Sequence, residues 1–168
     1  MLKNLANYNN YLPLLNGVLI TDLFVILLLN VGLIKSKVLN KWYLQYNLSA
    51  VMADVLIILL VLIITKSIYY YIFEEYSLLK FISIALILQI IHDVLFYILF
   101  SNIPRGVNKM MDTFKDYAKE VSYKAIIGDS GMIILSCLLG AYFVTKNINT
   151  NIIVLIISLY LLPYLLYN

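Results

Sequence analysis

The stretch YNLSAVMADVLIILLVLIITK, residues 46–66, decides the fold class because it is an almost unbroken apolar run with one acid inside it. A helix of about 20 apolar residues spans the hydrocarbon core of a bilayer. A carboxyl group within such a helix is costly unless it is neutralised, paired or hydrated. The segment therefore predicts a membrane-spanning helix on which Asp54 needs a buried partner or water.

The same pattern recurs along the chain, which is 63% hydrophobic and only 12% charged over 168 residues. Soluble domains carry charge on about a quarter of their residues. Hydropathy predicts five spans at about 17–35, 46–66, 78–100, 125–145 and 148–167. We therefore expect an all-α, polytopic transmembrane helix bundle in a single domain, 1–168. A four-span form with an interfacial tail is the alternative, because a very short turn precedes the fifth segment and Pro163 interrupts it.

The main polar segment, between the third and fourth spans, predicts an amphipathic helix at about 104–122. Its apolar residues recur at spacings of three and four, from Val107 through Met110 and Phe114 to Val121. The basic residues that we assign to a membrane-surface helix are Arg105, Lys109, Lys115 and Lys119. Such a helix lies flat at the headgroups with its apolar stripe in the acyl boundary. A cap packed on the ends of the spanning helices satisfies the same pattern.

Basic residues set the expected orientation. With five spans, the 35–45 and 101–125 segments share one side and hold eight of the 12 Lys and Arg residues. Basic loops face the cytoplasm, so the N-terminus is predicted outside or lumenal and the C-terminus cytoplasmic. Because the basic residues are scattered singly over several loops, we do not expect nucleic-acid binding.

Polar residues inside the apolar runs are the candidate site. Aspartates occur singly in four of the runs, and Gln89, His92 and Asp93 are spaced to share one helix face. We predict one buried polar layer, which is also the candidate proton or cation site, composed of Asp22, Asn30, Asp54, Gln89, His92, Asp93 and Asp129. Counting from helix midpoints leaves a gap of about 9 Å between Asp22 and Asp54. Adjacent helical residues point about 100° apart, so spacing alone does not predict a hydrogen bond between His92 and Asp93.

A stripe of small and polar residues on the fourth span indicates close helix packing. Asp129, Ser136 and Gly140 follow one another at spacings of seven and four. Small residues at helical spacing let a neighbouring transmembrane helix approach closely. We expect another helix to pack on this stripe.

Three functions fit these residues. The preferred one is a structural or organising membrane component whose acidic layer fixes helix packing. The second is a proton or cation channel or transporter that uses the intramembrane carboxylates. The third is a membrane-embedded enzyme, metal-dependent or acid/base, acting on a lipid.

Catalysis is the least favoured of the three. Neither a zincin spacing nor a serine-nucleophile elbow is present, so no catalytic residue is assigned and no cofactor is expected. Metal binding stays open. The expected partner is the lipid bilayer, with a second copy of the chain or other membrane proteins as further candidates.

The region from Gln89 to Met132 resembles part of a known group of proteins. Its segments QIIHDVLFYILF (89–100), SNIPRGVNKMMDTFKDYAKE (101–120) and AIIGDSGM (125–132) are similar to uncharacterised multi-pass membrane proteins of nucleocytoplasmic large DNA viruses. The resemblance covers about a quarter of the chain. It implies a host intracellular or virion membrane and brings no activity with it.

Overall fold

The computed structural model describes residues 4–7 and 9–167, and the regular secondary structure in this part of the chain is helical. The helices are α1 (Tyr11–Asn30), α2 (Lys37–Tyr46), α3 (Leu48–Ile72), α4 (Leu78–Asn102), α5 (Lys109–Val121), α6 (Lys124–Val144) and α7 (Ile148–Leu166). Five of them, α1, α3, α4, α6 and α7, are long and apolar enough to cross a membrane. The predicted all-helical, multi-pass membrane class is confirmed.

The first span differs from the prediction at both ends. It was expected at 17–35, whereas α1 covers Tyr11–Asn30 and passes through Asn16 and Gly17. The helix ends where Gly32 adopts a φ of +75° and its N–H bonds to the carbonyl of Leu29. Glycine adopts this left-handed conformation readily because it has no Cβ to clash. A left-handed residue ends a helix, so α1 ends before the apolar run does.

Helix α2 is absent from the prediction, which treated 35–45 as a loop. The side chain of Ser36 caps the helix by accepting from the N–H of Leu39 at 3.1 Å. The carboxylate of Glu120 on α5 accepts from the N–H groups of Lys37 and Val38 at 2.9 and 3.0 Å. An acid that is distant in sequence thus accepts hydrogen bonds from backbone N–H groups that have no partner within the first turn of the helix.

The second span also runs further than expected, because Lys66 does not end it. Helix α3 covers Leu48–Ile72 instead of 46–66. The side chain of Lys66 is buried, with its ammonium 3.5 Å from the ring centroid of Tyr11. The attraction between the ammonium and the aromatic face offsets part of the cost of removing the ammonium from water. The helix can therefore continue past Lys66. The other three spans agree with the prediction within two residues at each end.

Helix α1 is the centre of the bundle and packs on α6, α7 and α3. A Cβ added to Gly17 would lie 2.6 Å from the carbonyl oxygen of Ser136 and 2.7 Å from the nitrogen of Gly140. The hydroxyl of Ser136 also donates to that of Thr21 at 3.1 Å. The predicted packing of a helix on the Ser136 and Gly140 stripe is therefore observed, and α1 is the helix that packs there.

Helices α2 and α5 together cover one end of the bundle, and we call this pair the cap. The ring centroids of Trp42 and Phe114 are 4.8 Å apart, and the hydroxyls of Tyr46 and Thr113 are 3.0 Å apart. Phe114 also packs edge-on against Phe96 of α4, with centroids at 4.9 Å. Much of the apolar side of α5 thus contacts protein, as a cap on the helix ends requires. Contact of α5 with a membrane surface stays a prediction.

Helix α5 begins later than predicted, since Pro104 does not start it. Asn108 is the capping residue and accepts from the N–H groups of Met110 and Met111 at 2.9 and 3.2 Å. Gly106, with φ +89°, turns the chain just before this cap. Residues 104–108 therefore form the turn that leads into the helix.

The four basic residues assigned to the surface helix have different surroundings. Arg105 donates to the carboxylate of Asp116 at 2.8 Å, and its guanidinium lowers the pKa of that exposed acid. Lys115 donates to the carbonyl of Ile103. Lys109 and Lys119 are exposed. Two of the four are thus free to face headgroups or water.

Candidate functional site

A single tyrosine joins aspartates of two of the long apolar helices. The hydroxyl of Tyr43 on α2 lies 2.9 Å from Oδ1 of Asp22 on α1 and 2.9 Å from Oδ2 of Asp54 on α3. The indole N–H of Trp42 donates to the same Oδ2 of Asp54 at 3.0 Å. Asp22 is fully buried. We call these four residues, which tie together three helices, the clasp.

The number of hydrogens in the clasp limits its protonation state. A tyrosine hydroxyl has one hydrogen to donate and lone pairs to accept with. Asp54 already accepts from Trp42, so the simplest pattern has Tyr43 donating to Asp54 and a protonated Asp22 donating to Tyr43. The three groups then share a hydrogen-bonded chain with one extra proton on a carboxyl group.

The predicted gap of about 9 Å between Asp22 and Asp54 was wrong. It followed from the misplaced bounds of the first two spans. With the observed bounds, Asp22 lies eight residues before Asn30 and Asp54 six residues after Leu48. These separations correspond to about 12 and 9 Å from the same end of the bundle. The remaining distance is bridged by Tyr43 from the cap.

A second polar group occupies one face of α4. The amide of Gln89 donates to Oδ1 of Asp93 at 2.6 Å, as the spacing of four permits. Nδ1 of His92 lies 3.3 Å from the same oxygen. Spacing alone did not predict this contact. It forms although the two residues are adjacent, with the imidazole stacked on the ring of Phe96 one turn further on.

A cavity of about 1020 Å³ lies beneath the cap. Its wall is mostly apolar, with contributions from the first half of α3, the second half of α4 and the first turns of α6. The polar side chains of the candidate site that line it are Asp54, Gln89, His92, Asp93 and Asp129. Carboxyl groups from three different spans therefore face one cavity.

Asn30 does not join these residues. It is the exposed last residue of α1, and its amide donates to the carbonyl of Leu165 on α7 at 2.8 Å. The prediction included it in the polar layer, because the first span was expected to continue to residue 35. Asn30 instead fixes the adjacent ends of α1 and α7.

Several buried polar residues were missed by the sequence analysis. Asn16 donates to the backbone and side-chain oxygens of Asn151 at 2.9 and 3.0 Å, and Asn151 donates to the carbonyl of Phe143. This amide pair links α1, α7 and α6 at the end opposite the cap. Asn16 directly precedes the predicted first span and Asn151 lies near the start of the predicted fifth span, and asparagine is common at such positions. Trp42 and Tyr43 lie between the first two predicted spans, where aromatic residues are common as interfacial anchors.

Burial and the neighbouring acids fix the ionisation of the cap tyrosines. Burial, together with the charge of Asp54, raises the pKa of Tyr43 well above its usual range. Burial, with Asp129 as the next contributor, also raises the pKa of Tyr117. Both phenols therefore remain neutral hydrogen-bond donors at ordinary pH.

Chemically, the arrangement can share a proton within the clasp and present carboxylates to an occupant of the cavity. Among residues 4–7 and 9–167, no group of three or more His, Cys, Asp or Glu side chains is arranged to hold a metal ion. Comparison with known protein families, curated proteins and solved structures found no match to this chain.

Proposed function

We propose that this chain is a structural or organising component of a membrane, in which the clasp fixes how the spans pack. The observation that carries the proposal is the hydroxyl of Tyr43, 2.9 Å from a carboxyl oxygen of both Asp22 and Asp54. Polar groups buried in a membrane bundle hold helices together when they satisfy one another. The resemblance of residues 89–132 to viral membrane proteins supports a host intracellular or virion membrane.

The packing beyond the clasp favours organisation over ion passage. Helices α1 and α6 approach so closely at Gly17 that a single methyl group would collide with backbone atoms. Next to this contact, Leu14, Val18, Ile133 and Cys137 are buried. A continuous aqueous path between these two helices would have to open a contact that is dry and tight.

Proton passage is the second candidate because one observation favours it. The Asp22, Tyr43 and Asp54 side chains form a continuous hydrogen-bonded chain that ends at the cavity wall. Such chains can transfer protons by exchanging donors and acceptors. This candidate requires water beyond Asp22, since Oδ2 of that residue has no hydrogen-bond partner among the described residues.

The orientation of the proposed bundle follows from its charges. Eight of the 12 basic residues lie on or next to the cap. The positive-inside rule then places the cap and the C-terminus in the cytoplasm and the N-terminus outside or in a lumen. Lys109 and Lys119 on the exposed side of α5 would meet anionic headgroups there.

Reconstitution into liposomes that contain a pH-sensitive dye separates the two candidates. An organising component gives no proton flux above that of empty liposomes, and D54N folds with reduced stability. A proton carrier gives flux that D54N and Y43F abolish while both variants stay folded. D116N is the matched control, because it removes one exposed acid outside the cavity. Wild-type flux lost selectively in D54N and Y43F would overturn the organising role.

A further inference from the structure

The cavity beneath the cap contains acceptors that no described residue satisfies. Gln89 is only 3% exposed, and its Oε1 has no hydrogen-bond partner. Oδ2 of Asp93 is buried and lacks a partner as well. Leaving a buried acceptor without a hydrogen bond destabilises the fold, so both oxygens are positions where a donor is missing.

The charge of the cavity indicates which donor would fit. Asp54, Asp93 and Asp129 bring three carboxyl groups to its wall, and Lys124 is the only Lys or Arg among its described lining residues. Nδ1 of His92 is already directed at Asp93. An occupant that carries a positive charge and several N–H groups complements this wall. An ammonium group has three donors and no acceptor.

The remaining wall suits an apolar body attached to that charge. Trp42, Phe96, Phe114 and Tyr117 line the cavity, and aromatic faces attract cations as well as apolar groups. Met110, Met111 and Met132 add flexible apolar surface that adapts to different shapes. A volume of about 1020 Å³ accommodates one molecule of drug-like size.

We propose that this cavity is a binding site for a primary ammonium group carried on an apolar body. Asp93 Oδ2 and Gln89 Oε1 accept hydrogen bonds from the ammonium, and Asp54 and Asp129 neutralise its charge. The aromatic and methionine side chains enclose the apolar body. The site does not depend on the organising role of the clasp. The amine is either a free lipophilic amine or the headgroup of an amino lipid, since both present the same chemistry.

The only tryptophan of the chain, Trp42, lines the cavity and reports its occupancy. The test is a fluorescence titration of the full chain, in phosphatidylcholine nanodiscs, with 4-phenylbutylamine. The matched probe is 4-phenylbutanol, which has the same body without the charge. We expect a saturable change with the amine and at least tenfold weaker binding of the alcohol. Equal binding of the two probes overturns the proposal.

Two pairs of variants locate the site. D93N should weaken amine binding at least tenfold, whereas D116N, which removes an exposed acid elsewhere, should leave it unchanged. G128L fills the cavity, because Gly128 lines it and an added Cβ meets nothing within 4 Å. G131L is its control, on the same helix with equally open space but outside the cavity lining. Thermal unfolding shows which variants fold.

The outcomes of these variants decide the proposal. Loss of amine binding in folded G128L, with retention in G131L, supports the site even if D93N does not fold. Retained binding in G128L contradicts it. Repeating the titration with phosphatidylethanolamine in the nanodiscs distinguishes the sources. Weaker apparent binding of the probe then identifies a lipid amine as the competing occupant, and unchanged binding identifies a free amine.

Discussion

Individual residues decide where the helices meet, and Gly17 is the clearest case. The position has no room for a methyl group, since the nearest atoms are backbone atoms of Ser136 and Gly140. We expect G17A to separate α1 from α6 and to lower the free energy of unfolding by about 1–3 kcal/mol. Unfolding by denaturing detergent, followed by circular dichroism, measures the change.

The control for this substitution is G131A. Gly131 lies in α6 with nothing within 4 Å of an added Cβ. Alanine is the better helix former by up to about 1 kcal/mol, so G131A should be neutral or stabilising. Equal stability of G17A and G131A would contradict the close approach.

The clasp predicts a specific loss of stability at alkaline pH. Burial raises the pKa of Tyr43 in the folded protein, whereas an unfolded tyrosine releases its proton near pH 10. Below about pH 10 the phenol is protonated in both states and its contribution does not vary with pH. Above pH 10 only the unfolded state gains by releasing the proton, so stability falls, by at most about 1.4 kcal/mol per pH unit.

Comparison with Y43F isolates this effect from the other tyrosines. At pH 9 the variant should be less stable than wild type by about 1–3 kcal/mol, because it leaves buried carboxyl groups without their bridge. The difference should shrink between pH 10 and 11. A difference that stays constant over this range would show that Tyr43 titrates normally and is not held in the clasp.

At the residue scale, the sequence identifies polar groups better than their partners. Asp22, Asp54, Gln89, Asp93 and Asp129 stand out because each interrupts an apolar run. Their partners Trp42 and Tyr43 do not stand out, since aromatic residues near a lysine are ordinary at a membrane interface. Their hydrogen bonds to Asp22 and Asp54 form only when α2 packs against α1 and α3. The local sequence pattern does not predict that packing.

At the scale of elements, the five spans were predictable because hydropathy over about 20 residues is a strong signal. The short helix α2 was missed even though Val38, Leu39, Trp42 and Tyr46 follow helical spacing. The basic residues around them, Lys35, Lys37 and Lys41, were interpreted as part of a loop at the membrane exit. The termini of α1 were wrong because Gly32 ends the helix inside an apolar run, whereas buried Asn16 belongs to it.

The carboxylate of Glu120 should stabilise α2 from outside the helix. It accepts from two backbone N–H groups of the first turn, where a negative charge also favours the helix dipole. We expect E120A to cost about 1 kcal/mol and to speed hydrogen exchange in α2. The exchange is measured by mass spectrometry on peptides that cover 37–46.

The matched control is E74A, in the turn between α3 and α4, where an exposed acid is removed far from the cap. Exchange in α2 should be unchanged in this variant. If E120A also leaves it unchanged, the contact between α5 and the start of α2 does not hold the cap in place.

At the scale of the whole molecule, the proposed orientation can be tested directly. In a C137A background, cysteines introduced at Lys109 and at Glu74 lie at opposite ends of the bundle and are exposed. In intact cells that carry the protein in their plasma membrane, a membrane-impermeant maleimide should label the cysteine at position 74 and spare the one at 109 until the membrane is opened. The reverse pattern would place the cap outside.

The central claim is that carboxyl groups on three spans face a common cavity instead of lipid. Nitroxide labels at D93C and D129C, with I157C on the exposed side of α7 as the lipid reference, test it by electron paramagnetic resonance in nanodiscs. We predict low accessibility to oxygen at 93 and 129, high accessibility at 157, and strong spin coupling when 93 and 129 are labelled together. Oxygen accessibility at 93 and 129 equal to that at 157, without coupling, would contradict the account.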